Sequence, residues 1–146
     1  MNDWQRSFES KLEAAKKQWT HRFEDVAGEY LEPVFCWFDD FTTTRGFRTS
    51  TPNCEPGTRL FKFELTENGY LLIAFRMNGL DTVEACTEVR VPGGESVEDV
   101  RVETHLCDVD RQWAQTRFEH SLDRFVVAFG AAGTAESHHA GQHVTA

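Results

Sequence analysis

The chain is short of the features that would tie it to a membrane, a secretory route or a known chemistry. None of its 146 residues belongs to an apolar run of about 18, the length an ordinary transmembrane helix needs. The opening MNDWQRSFES has no basic segment leading into an apolar one, so no secretory leader is expected. Four cysteines, Cys36, Cys54, Cys86 and Cys107, make no C-x-x-C pair and no regular spacing, which predicts free thiols and a cytoplasmic setting. Cys36 and Cys86 read as small residues within strands. Positive charge is scarce, 15 Lys and Arg against 24 Asp and Glu. The net −9 disfavours nucleic acid and anionic membranes as partners and favours a basic protein. No G-x-S-x-G, P-loop, post-strand G-x-G-x-x-G or H-E-x-x-H is present. A non-enzymatic protein with neither cofactor nor metal is the expectation.

Aromatic residues are plentiful, with twelve Phe and four Trp. Trp4, Phe8, Leu12, Ala15, Trp19, Phe23, Val26 and Tyr30 recur every three or four residues, which predicts one long amphipathic helix. Asn2 with Gln5 suits its N-terminal cap, and Pro33 is expected to end it. At 1.5 Å per residue such a helix overhangs a small sheet. VFCWFDDF, 34–41, reads as a first strand, and 42–57, with two prolines, as a long loop whose Arg45 and Arg48 suit a phosphate or carboxylate. A meander follows at 58–66, 70–77, 80–91 and 96–106. A second helix, capped by Asp108 or Asp110, carries Ala114, Phe118, Leu122, Phe125 and Phe129 and stops at Gly130. The organisation is therefore a single α+β domain over 1–130, an antiparallel meander of about five strands flanked by N- and C-terminal amphipathic helices. Residues 131–146, small and polar, are expected to be a disordered tail.

Two Asn-Gly pairs bracket the strand at 70–77, and each suits a two-residue hairpin turn. Centring the first on Asn68-Gly69 sets Leu65 opposite Leu72 and Phe63 opposite Ala74. Centring the second on Asn78-Gly79 sets Ala74 opposite Val83 and Leu72 opposite Ala85. The core face then holds Phe61, Phe63, Leu72, Ala74, Val83 and Ala85. Ile73, Phe75 and Met77 fall on the other face, in an apolar stripe that needs cover from a helix or a second subunit. The turn at 92–95 sets Glu84 opposite Glu103 and Glu88 opposite Asp99, like charges that ordinarily repel. Nine acids against two arginines between 81 and 110 read first as a solvated edge that charge keeps from aggregating, then as a docking face for a basic partner and, less readily, as paired catalytic carboxylates or a cation site. Glu103, His105 and Cys107 share a strand face, but their spacing is too wide for metal without a ligand from elsewhere.

In size, acidity and amphipathic end helices the chain resembles the small dimeric secretion chaperones. It departs from them where the 92–95 turn leaves no room for a helix inside the sheet sequence. The resemblance implies a homodimeric protein-binding, adaptor or chaperone-like function. The alternative from the residues themselves is a small-ligand-binding domain with its pocket between the sheet and the first helix, gated by 42–57.

Overall fold

A computed structural model describes residues 2–94, 97–98 and 101–145, without the side chains of 97–98 and 135–145. The fold is α+β, with an antiparallel sheet and long helices at both ends, as the pattern predicts. Helix α1 spans Asp3–Val26, and its cap is the one read from the sequence: Asn2 accepts from the Gln5 backbone and Gln5 returns the bond. Pro33 does not end the helix. A π-helical turn, Ala27–Leu31, leads straight into α2, Glu32–Thr43, so 34–41 is helical rather than a strand and Cys36 is an exposed helical residue. Proline lacks an N–H and its ring crowds the carbonyl four residues back. In the wider turn Glu32 N–H reaches back to the Ala27 carbonyl, and Pro33 lies in the first turn of α2, where proline is tolerated. The extra residue also keeps Phe23, Ala27, Leu31, Phe35 and Phe38 on one buried face.

The sheet is built from β1 (Arg48–Ser50), β2 (Thr58–Thr66), β3 (Gly69–Met77), β4 (Thr82–Arg90), β5 (Val97–Glu98) and β6 (Val102–His105). Order runs β1-β2-β3-β4, and β5 and β6 both pair with β4 on its far side. The segment expected as an open loop thus contains β1, which pairs Thr49 with Phe63. The Thr49 hydroxyl also donates to Asp39 of α2 at 2.5 Å. Arg59 of β2 fastens the sheet to the helix junction, donating to Glu24 at 2.7 Å and to Glu32 at 3.1 Å. Burial opposes its charge, but the bonds to Glu32 and Glu24 prevail and raise its pKa above the ordinary arginine value.

The register of β3 differs from the one read from the sequence. Phe63 pairs with Leu71 and Phe61 with Ile73, while Phe75 pairs with Ala85 and Met77 with Val83. Thr66 pairs with Gly69, so the first turn is Glu67-Asn68, and a bulge at Leu65 adds an unpaired residue before it. The second connection is the three-residue loop Gly79-Leu80-Asp81, closed by the Asn78 N–H on the Thr82 carbonyl, with Gly79 at φ +100. Moving a turn by one residue preserves the facing; an odd bulge or an odd loop inverts it. One such feature stands at each end of β3, so this strand alone is turned over, while β2 and β4 keep the faces expected of them. Gly69 completes the turn beneath α3: a Cβ there would stand 2.5 Å from the Phe129 ring.

Helix α3, Arg111–Thr145, is capped by Asp110, whose side chain accepts from the Trp113 backbone at 2.8 Å. It runs past Gly130, where it was expected to stop. The residues it packs into the core end at Phe125 and the partly buried Phe129. Helices α2 and α3 lie on one sheet face, over Phe61, Phe63, Leu71, Ile73, Phe75 and Val83. Phe118, fully buried, has the rings of Phe35, Phe38, Phe61, Phe63 and Phe75 around it, with centroids 5.4 to 6.3 Å away. Phe118→Ala is expected to lower stability by about 3 to 5 kcal/mol in chemical denaturation. Removing residues 131–146 is expected to change it by less than about 1 kcal/mol, because among the described residues Phe129 is the last side chain of α3 in the core.

Candidate functional site

Three surfaces hold the residues singled out in the sequence. The first is the sheet face opposite the helices. Ile73 and Phe75 do not reach it: both are fully buried in the core, and Met77 is half-buried beside them. The inverted β3 instead presents Tyr70, Leu72, Ala74 and Arg76 there. Ala74 pairs with Cys86 and Leu72 with Glu88, and these four residues floor a shallow concavity of about 540 Å³ rimmed by Leu60, Arg76 and Arg101. Cys86 sits in β4, a strand residue as expected.

The second surface is the acidic hairpin on that face. Glu84 does oppose Glu103, as the turn implied, but Glu88 opposes Glu98 rather than Asp99. Asp99 lies outside the described residues. The Glu84–Glu103 pair is bridged. Asn78 donates its amide to both carboxylates, at 3.3 Å to Glu84, and Arg101 Nε stands 3.7 Å from Glu84. Glu84 is only 5% exposed, so it serves the hairpin rather than a surface. Sequence reasoning placed the two acids and missed the amide, because Asn78 was assigned wholly to the turn.

Arg45 and Arg48 are not brought together on a common anion. The Arg45 guanidinium lies 3.7 Å from the Phe41 ring centroid and donates to the Phe41 carbonyl, whereas Arg48 pairs with Glu64 at 3.1 Å. Trp37 stacks on Phe41 in turn, at 5.5 Å and 8°. Trp37 and Phe41 of α2 and Arg45 of the turn after it, each four residues from the next, form an exposed ladder. The four-residue spacing was legible in the sequence, but reading 34–41 as a strand put Trp37 and Phe41 on one side of a sheet instead.

The third surface is α1 itself. Trp4 is 70% exposed, Phe8 50% and Leu12 36%, and Trp4 stacks on Phe8 at 5.3 Å. The stripe continues through Trp19 into the buried Phe23. Near its base a cleft of about 370 Å³ lies between Trp19, Thr20, Pro56 and Leu80. Glu103, His105 and Cys107 diverge. His105 faces Asp81 at 4.0 Å, and the Cys107 thiol lies near Asp108 in a 3₁₀ turn. Among the described residues no three His, Cys, Asp or Glu converge as a metal would require, and no helix is long and apolar enough to cross a membrane.

No family model, no curated protein and no solved structure matches this chain. The likeness to secretion chaperones therefore stays at the level of size, acidity and end helices.

The bridged acid pair carries a test of its geometry. Asn78→Ala leaves Glu84, nearly buried, facing Glu103 without the shared donor, which is expected to cost about 1 to 3 kcal/mol. Glu84→Gln in the same background is expected to return part of that loss, as read in a double-mutant cycle by chemical denaturation. Equal, additive effects of the two changes would contradict the bridge.

Proposed function

We propose that the protein is a non-enzymatic binding module that works as a homodimer, with α1 of one subunit lying antiparallel on α1 of the other. The observation that carries this reading is the exposed stripe of Trp4, Phe8 and Leu12 on an arm that extends away from its own sheet. Solvated arms do not ordinarily keep large aromatic residues at helical spacing, and a second copy offers the same stripe in return.

The flanking charges select the direction. Phe8, Leu12, Ala15 and Trp19 occupy a seam with the 4-3-4 spacing of a coiled coil. Antiparallel pairing lays Phe8 against the partner's Trp19 and Leu12 against the partner's Ala15, large against large at the ends and large against small at the centre. Glu9 then faces the partner's Lys16, twice by symmetry. Trp4 comes to lie beside the partner's Arg22, an exposed cation suited to an aromatic face. Parallel pairing instead brings Lys11 against the partner's Lys16, twice, and crowds both sheets at one end. The −9 charge of each chain suits such a dimer to a basic protein partner.

Sedimentation of the full chain is expected to give a dimer at micromolar concentration. Phe8→Glu with Leu12→Glu is expected to give a monomer with an unchanged melting temperature, since both residues are exposed in the single subunit. Lys16→Glu is expected to weaken the dimer about tenfold, and adding Glu9→Lys to restore it. A monomeric full chain overturns the dimer, and a dimer strengthened by Lys16→Glu overturns its direction.

A further inference from the structure

Where α3 crosses β4, the core face changes from phenylalanine to small side chains, and a cavity of about 230 Å³ opens between helix and sheet. Ala85 of β4 and Val102 of β6 floor it, and its polar wall comes from Thr87 of β4 and from Arg117, His120, Ser121 and Arg124 of α3. The four helical residues stand at i, i+3, i+4 and i+7, so one helix face presents two guanidinium groups, an imidazole and a hydroxyl to the same space. No described carboxylate lines it.

Two features of this wall are incomplete. The Arg117 Nε–H is buried with no hydrogen-bond acceptor among the described residues, while its guanidinium carbon is 5.8 Å from the Trp113 ring centroid. Thr87 and Ser121, each more than nine-tenths buried, share one hydrogen bond of 2.9 Å. That bond uses one of their two hydroxyl protons, and the other has no acceptor among the described residues. Buried donors without acceptors are rare because each carries a desolvation cost. Arg124 has an interaction of its own, so the unsatisfied donors are those of Arg117 and the hydroxyl pair, and among the described residues the wall offers them no acceptor with negative charge. The acidic balance of the whole chain repels anions, so affinity here must come from these few donors at short range.

We propose that this cavity binds a small oxyanion, the phosphate or carboxylate group of a small molecule, with Arg117 as the principal donor, Ser121 and Thr87 supplying a hydroxyl bond and His120 closing the open side. The volume suits one such group with little of the molecule behind it, which excludes a folded protein segment as occupant. A planar guanidinium pairs with either group through two oxygens, so inorganic phosphate and succinate serve as the two probes.

The test titrates the full chain with each probe, holding ionic strength constant with chloride and reading bound anion calorimetrically and by melting temperature. Saturable binding of at least one probe is expected, and the tighter of the two identifies the group. Arg117→Gln is expected to weaken that probe at least about tenfold and Ser121→Ala about threefold, with the ligand-free melting temperature checking that each variant folds. His120→Asn, at an exposed position, is expected to weaken it severalfold and serves should Arg117→Gln not fold. Neither anion exceeding chloride overturns the site, as does binding unchanged in folded Arg117→Gln or, failing that variant, in His120→Asn.

Discussion

Every layer of the fold meets at the ring of Phe118. Two of the five rings around it come from α2, two from β2 and one from β3, while Phe118 itself comes from α3. Aromatic pairs prefer tilted or offset contacts, and each satisfied contact adds to the area it buries. A hub of this kind fixes the angle between helices and sheet, because a ring displaced from one neighbour is displaced from the others. It also explains how the sheet can leave its opposite face open. The core is complete on one side, and the residues that close it are Ile73 and Phe75, whose apolar pairing on β3 raised the question of a second cover.

Much of this was legible in the sequence, and the failures have particular causes. The α+β class, both helix caps, the α3 stripe and the Glu84–Glu103 pairing follow from periodicity, capping chemistry and turn position. The facing of β3 did not, because it hangs on parity. The Leu65 bulge and the loop Gly79-Leu80-Asp81 each insert an odd residue, and neither insertion changes the pattern of apolar residues that a reader sees. Asn-Gly marks where a chain can turn, not how many residues turn with it. The burial of Phe61, Phe63, Val83 and Ala85 was recovered since those strands alternate cleanly. β3 is apolar on both faces and gives no such check.

The helical state of 34–41 was hidden by Pro33. A proline ordinarily closes a helix at the residue before it, and the aromatic run after it suits a strand by propensity. Yet Val34, Phe35, Phe38 and Thr42 are spaced for a helix face, and those are the side chains of α2 that are buried. Tertiary packing outweighed the local preference, and the π-turn supplied the backbone geometry that made it possible. The oxyanion cavity was invisible for a different reason. The apolar stripe of α3 says nothing of Arg117, His120, Ser121 and Arg124, which share a site only once Ala85 and Thr87 are placed opposite them.

The direction of α1 follows from the same helix. No glycine or proline interrupts Asp3–Val26, so the arm has no hinge, and its rotation is set where Phe23, Ala27 and Leu31 lock into the core. The stripe that is buried at Phe23 therefore continues to the exposed Phe8, about 22 Å further along at 1.5 Å per residue. An arm free to bend would fold its aromatics back onto the sheet. This one holds Trp4 and Phe8 outward, stacked on each other, and keeps the spacing of the core in a place where the described residues of its own chain leave both exposed.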